Sequence, residues 1–257
     1  MPFGNDSPFP LHDDVSKRWA QRGYMMDFLK SRASASRQFE THDFSHTIAS
    51  DVTNVWTIAA TSTATTWAVL AESGGWIRGV TGASVATGAL QIQAPSKFWT
   101  GTSGAGFASL IRLSAVTNVR LEQGFAEVLP AVGTVAVNIA SNSFNSMTTA
   151  AVYLYDEGVG ASAAMTGLYT VGTSIAFNAV ATTTNRYSSA ATLFVAMEID
   201  GGTVKVWVGP PAGGPLVVRH AALEAASTLL PFVMVKTQSG SKNLDIDTLW
   251  TWTLSRV

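Results

Sequence analysis

Glu122 and Glu127 stand five positions apart in the stretch LEQGFAEVLP, residues 121–130. Two carboxyls held about 5–5.5 Å apart, one kept protonated by its surroundings, are what retaining glycoside hydrolysis requires. On a regular strand Leu121, Gln123 and Phe125 face one way, and Arg120, Glu122, Gly124 and Ala126 the other. Glu127 then falls opposite Glu122 unless Gly124 supplies a bulge. Arg112 and Arg120 lie near enough along the chain to pair with Glu122, which would keep it ionised rather than acidic. The expected reading is a polar strand face with a structural ion pair and no catalytic residue. A glycan hydrolase using Glu122 and Glu127 is the alternative.

Other candidates are weaker. His42 and His46 have a spacing that would hold a metal on a helix, but no third ligand is evident, and a linker turn is the plainer reading. His12 and His220 are isolated. Asp245 and Asp247 alternate with apolar residues, which predicts solvated carboxylates; calcium would need several more oxygens, and Asp156 and Glu157 are no better placed. No metal and no cofactor is therefore expected. GTSGAG (101–106) lacks the Lys-Ser/Thr ending of a phosphate loop, and no Gly-x-Ser-x-Gly elbow exists. Phe194, Lys205 and Trp207 share one face of a hairpin, opposite Val204, Val206 and Val208. An exposed Trp207 would stack on a sugar ring, making these three the candidate glycan site; a covered face is the competing expectation.

The elements that position these residues divide unevenly. Residues 1–45 carry 12 charged side chains, a high density for a chain that is 13% charged throughout. That region is read as an N-terminal arm with one helix, in which Asp13 or Asp14 caps and Val15, Trp19, Met26 and Leu29 share a face. Its apolar anchors for a partner are Trp19, Tyr24, Met26, Phe28 and Leu29, rimmed by Arg18, Arg22 and Arg32. From about residue 46 the period is two. NLDIDTLWTWTL places Leu244, Ile246, Trp250, Trp252 and Leu254 on one face. TLFVAMEIDGGTVKVWVG is a hairpin turning at Asp200-Gly201-Gly202. FASLIRLSAV and NVRLEQGFAEV read as a second hairpin across Thr117 and Asn118. About a dozen strand runs with Gly-rich turns predict an all-β fold, an antiparallel jelly-roll β-sandwich over 46–257.

Composition narrows the partners. A net charge of −1 argues against a nucleic-acid groove or an anionic membrane surface, and the absence of cysteine excludes disulfides. No apolar run reaches the about 18 residues of a membrane helix, and the start lacks the pattern of a signal peptide, so a cytoplasmic origin is expected. A surface poor in charge points to a homo-oligomer or another assembly.

GGWIRGV…ALQIQ, then FASLIRLSAVTNVRLEQGFAEV, TLFVAMEIDGGTVKVWV and LLPFVMVKTQSGSKNLDIDTLWTWTL, follow one another in the order and texture of a concanavalin-A-like lectin/glucanase sandwich. The chain resembles structural proteins of tailed-phage virions that carry such a sandwich. The glucanase pattern of this class has Glu-x-Asp-x-x-Glu on its catalytic strand; Gly124 replaces the central aspartate here. The resemblance implies a non-enzymatic virion protein, a capsid decoration on the head surface. Its partners would be the major capsid protein and other virion proteins. A glycan-binding module on tail or head is the alternative it carries. On that reading removal of residues 1–37 leaves a folded sandwich that no longer joins the particle.

Overall fold

The computed structural model describes residues 23–43, 56–61, 66–70, 75–84, 88–94, 99–100, 104–129, 131–157, 165–172, 175–182, 187–211, 217–223 and 228–254. Within them the chain is an antiparallel β-sandwich with one helix, α1 (Gly23–Ala35). Strands are numbered along the chain. The first sheet runs β16 (Val217–Ala222), β15 (Thr203–Gly209), β14 (Thr192–Asp200), β7 (Ala105–Leu113), β18 (Asn243–Leu254), β4 (Ile77–Val80) and β3 (Thr66–Val69). β1 (Ser36–Asp43) also pairs with β18, beyond the stretch that β4 takes. The second sheet runs β13 (Ile175–Thr182), β12 (Met165–Gly172), β11 (Ala150–Glu157), β8 (Val119–Ala126), β17 (Thr228–Thr237), β5 (Ala89–Gln93) and β2 (Thr57–Ala60). β6 (Trp99–Thr100) pairs with the start of β17. β9 (Val137–Asn138) and β10 (Ser143–Phe144) form a small separate ribbon.

Alternation along the central strands fills the space between the sheets. Phe107, Ile111, Val195, Met197, Val206, Leu244 and Ile246 from the first meet Leu121, Phe125, Tyr153, Tyr155, Val233 and Val235 from the second. The outer faces are covered too, so both sheets are buried on two sides in their middle. Met25, Phe28 and Leu29 of α1 pack on Leu110, Phe194, Trp250 and Trp252 of the first sheet. Residues 127–149 cover the second sheet, with Ala136, Val137 and Met147 over Val152, Leu154, Phe232 and Met234.

Three expectations change. The hairpin at Asp200-Gly201-Gly202 forms, with both glycines at positive φ. The one across Thr117 and Asn118 does not: β7 pairs with β14 and β18, whereas β8 pairs with β11 and β17. Both strands are buried on both faces, each at the centre of a different sheet, and Asn118 turns the chain across at φ 51°. Second, β18 changes register between Ile246 and Thr248. The bulge at Asp247 reverses the alternation, so Leu244, Ile246 and Leu249 enter the central core while Trp250 and Trp252 face outward beneath α1. Third, the arm's described residues belong to the sandwich. β1 lies along β18 from Ser36↔Leu254 to Asp43↔Thr248. Met25, Phe28 and Leu29 are buried on the chain's own sheet, which leaves Phe28 and Leu29 no surface for a partner. Removal of residues 1–37 would uncover that face, so the truncated chain is not expected to keep its fold. Trp19, Arg18, Arg22, His12 and His46 lie outside the described residues, as do the side chains of Tyr24 and Met26.

Candidate functional site

β8 is regular through Gly124, which opposes Val152 and Phe232 without a register shift. Gly124 serves close approach instead: a Cβ there would meet the Ala151 carbonyl oxygen at 2.0 Å, and φ is 156°. On an unbulged strand two residues five apart point to opposite faces, so Glu122 and Glu127 do not present their carboxyls to a common point. Glu127 lies past the end of β8, where its side chain accepts a hydrogen bond from Thr148 Oγ1. Glu122 is fully buried at 0% exposure. The two glutamates therefore do not form a hydrolase site.

Glu122 has a different role. Arg120 stands two residues before it on the same face and donates to Glu122 Oε1 from Nε at 2.9 Å and Nη2 at 2.6 Å. Arg120 Nη1 donates to Asp156 Oδ2 at 2.7 Å on the neighbouring strand, where the two residues are cross-strand partners. The Ala136 and Val137 amides donate to Glu122 at 2.6 and 3.1 Å. Arg120 Nη2 also donates to the Val137 carbonyl. On the next strand, Lys236 Nζ donates to the Gly133 carbonyl at 2.6 Å, and Gln238 Nε2 donates to Asp156 Oδ1. Arg120, Glu122 and Lys236 thus fasten the backbone of the 127–149 segment to β8 and β17, and Asp156 of β11 holds Arg120 in place. Tyr169, beside this group, has its phenol pKa raised by burial, with Arg120 opposing and Asp156 reinforcing.

The segment so fastened is a cap over the second sheet. Its tip, NIASNSFNS, turns through β9 and β10 with Asn142 and Ser146 at positive φ. Asn138 Oδ1 accepts from the Ser141 amide and Asn145 Nδ2 donates to the Val135 carbonyl, so these two amides hold the turn. Ser141, Asn142 and Ser146 are exposed, and Phe144 is half-buried beside them. The sequence reading passed over this segment because its ribbon is only two residues long on each side. The available signal was the Asn/Ser run itself.

The remaining candidates are structural. Asp245 and Asp247 are each 2% exposed, not solvated. Asp245 faces outward, as alternation required, but Arg78 holds it at 2.7 and 2.9 Å and Arg112 at 2.8 Å. Arg112 lies in the other sheet from Glu122 and stacks on Trp76 at 4.7 Å. Glu157 accepts from the Asn118 amide at the sheet crossing. His42 sits against Trp56; burial lowers its pKa, and Glu40 opposes that shift. Among the described residues no three of His, Asp and Glu group to hold a metal. Phe194 is 3% exposed, and Phe28 lies 5.8 Å from it and 5.1 Å from Trp207. Arg32 lies over Phe28 and Trp207 and pairs with Glu198 at 2.9 Å. The aromatic face proposed for a sugar is covered by α1, and Lys205 lies at its margin, opposite Glu198.

No family model matches the chain, and no curated protein matches it. Solved structures do. A protein of unknown function from Shewanella oneidensis MR-1 superposes with a TM-score of 0.61 at 12% identity, covering 98% of this chain and 99% of that one. The carbohydrate recognition domain of Emp47p gives 0.54 at 11% identity, over 83% and 94%. The exoplasmic/lumenal domain of VIP36 in its Ca2+/Man3GlcNAc-bound form gives 0.53 at 10%, over 79% and 87%. Winged bean acidic lectin complexed with methyl-α-D-galactose gives 0.53 at 8%, over 85% and 100%. The fold is thus the concanavalin-A-like sandwich of lectins, as the order of strands implied.

The Ca2+ recorded for VIP36 raises the question of whether this chain's residues fit such an ion. Calcium takes six to eight oxygens at about 2.3–2.6 Å. Under the cap both Glu122 oxygens already receive N–H donors, and a guanidinium lies between Glu122 and Asp156. These carboxylates do not fit a divalent cation.

Proposed function

We propose that this chain is a non-catalytic carbohydrate-binding module whose contact surface is the tip of the 127–149 cap. The observation that carries the reading is the tip's composition on a buried ionic footing. Exposed hydroxyls and a carboxamide from Ser141, Asn142 and Ser146 share this tip with Phe144, whose half-buried ring packs on the core beneath. A neutral saccharide offers hydroxyls that donate and accept and a C–H face that packs on a ring; carboxamides and hydroxyls match the first and Phe144 the second. The saccharides bound to two of the similar structures support the reading through fold alone. The test is a broad glycan array probed with the full chain. Binding is expected, weakened about tenfold or more in Asn142→Gly, which keeps the turn's positive φ, and in Phe144→Leu, which keeps the apolar packing without the ring, the worth of one good contact. No hit on the array sinks the reading.

For the place of action we propose a second reading, the surface of a tailed-phage virion, with the major capsid protein, other virion proteins and further copies of this chain as partners. Its support is the sequence texture described above and a chain only 13% charged. Gold-labelled antibody on purified particles tests it. Label over the head favours decoration, label at the tail favours receptor glycan binding, and no label removes the virion reading.

A further inference from the structure

The cap needs a positive charge beneath it. Two buried carboxylates, Glu122 at 0% and Asp156 at 2% exposure, face the same point from adjacent strands. Unneutralised carboxylates in such a place would be costly. A divalent ion is one way to supply the charge, and Arg120 is another. Its guanidinium contacts both carboxylates at 2.6–2.9 Å and the Val137 carbonyl as well. Each Glu122 oxygen also receives a backbone amide from the cap. Converging N–H groups make a site for an anion; a metal ion brought to those oxygens would meet the positive ends of the same donors.

We propose that Arg120 is a built-in cation that orders the 127–149 cap, so that this sandwich assembles its loop surface without a divalent metal. The guanidinium is planar, forked and permanently charged, which suits it to bridging two carboxylates at fixed angles. Unlike an ion, it is covalently held and does not dissociate at low metal concentration. Lys236, the cross-strand neighbour of Arg120, reaches a second point on the cap at Gly133. The inference concerns how the cap is held and does not depend on what its tip binds.

Hydrogen exchange of the full chain, read at the Ala136 and Val137 amides, tests this directly. In excess EDTA, and again with added Ca2+ or Mn2+, their exchange rates and the melting curve are expected to coincide with those of the untreated protein. Faster exchange in EDTA, or slower exchange with either ion, would overturn the proposal. In Arg120→Met the same two amides should exchange at least about tenfold faster than in the parent, the worth of one charge-assisted hydrogen bond. The buried amides of β7 should stay protected. If Arg120→Met fails to fold, Arg120→Lys keeps the charge without the fork and should give an intermediate rate. Unchanged exchange in the foldable variant would overturn the role of the guanidinium. A blank glycan array leaves all these readouts intact, so the two proposals fail separately.

Discussion

At the scale of single residues, Arg120, Glu122 and Gly124 decide what β8 is for. Glu122→Gln breaks a buried ion pair and should cost about 3–5 kcal/mol in denaturant unfolding. Gly124→Ala drives a Cβ into the Ala151 carbonyl. It belongs among the rare substitutions costing more than about 4 kcal/mol, or prevents folding; a soluble variant with parental stability would refute the close-approach reading. Glu198 behaves differently. Burial raises its pKa from the ordinary 4.5, with Arg32, Trp252 and Lys205 opposing. A raised carboxylate favours folding when protonated, and that contribution is lost as pH rises from about 4.5 through the folded value. Glu198→Gln should therefore melt higher than the parent at pH 7, with the gap closing in acid. A constant gap would show that the titration plays no part. The Arg120–Glu122 pair was legible from their spacing on one face. Arg112 was not assigned correctly, because nothing local says that consecutive strands enter different sheets.

At the scale of elements, α1 and β18 belong together. Phe28 is the wedge, within 6.2 Å of Trp252 and closer to Phe194 and Trp207. Phe28→Ala should cost about 3 kcal/mol and shift tryptophan emission to the red as the face beneath is wetted. Unshifted emission would mean that the helix does not depend on this ring. Most strands were readable from period two and their turns, including the β14–β15 hairpin. The failures have separate physical causes. β1 (SRQFETHD) is too polar to announce itself, and its partner lies more than two hundred residues away in sequence. β12 and β16 carry glycines and alanines that dilute the β signal. In β18 the alternation was read straight through Asp247, so the tryptophans were put on the wrong face. A single extra residue inverts every position after it.

At the scale of the whole molecule, residues 36–43, which charge density assigned to the arm, pair with β18 of the sandwich. Removal of residues 1–37 should lower melting temperature or abolish folding, because α1 covers Phe194, Trp250 and Trp252. Parental stability of that truncation would show that the cover is dispensable. The fold class was legible from strand order alone. The cap was not, since its fastening joins residues from β8, β11, β17 and the segment between β8 and β11.

The antiparallel seating of β1 on β18 has a mechanical consequence. Ser36 lies opposite Leu254, so the start of one strand and the end of the other sit side by side. Tension applied at those two points would load the ladder one rung at a time, beginning at Ser36↔Leu254 and travelling toward Asp43↔Thr248. Such peeling needs far less force than shearing all the rungs together. Resistance to pulling is governed by the rate of opening rather than by total stability. Under load this molecule would yield first at β1 and α1, while the second sheet and its cap, which share no rung with β1, stay closed.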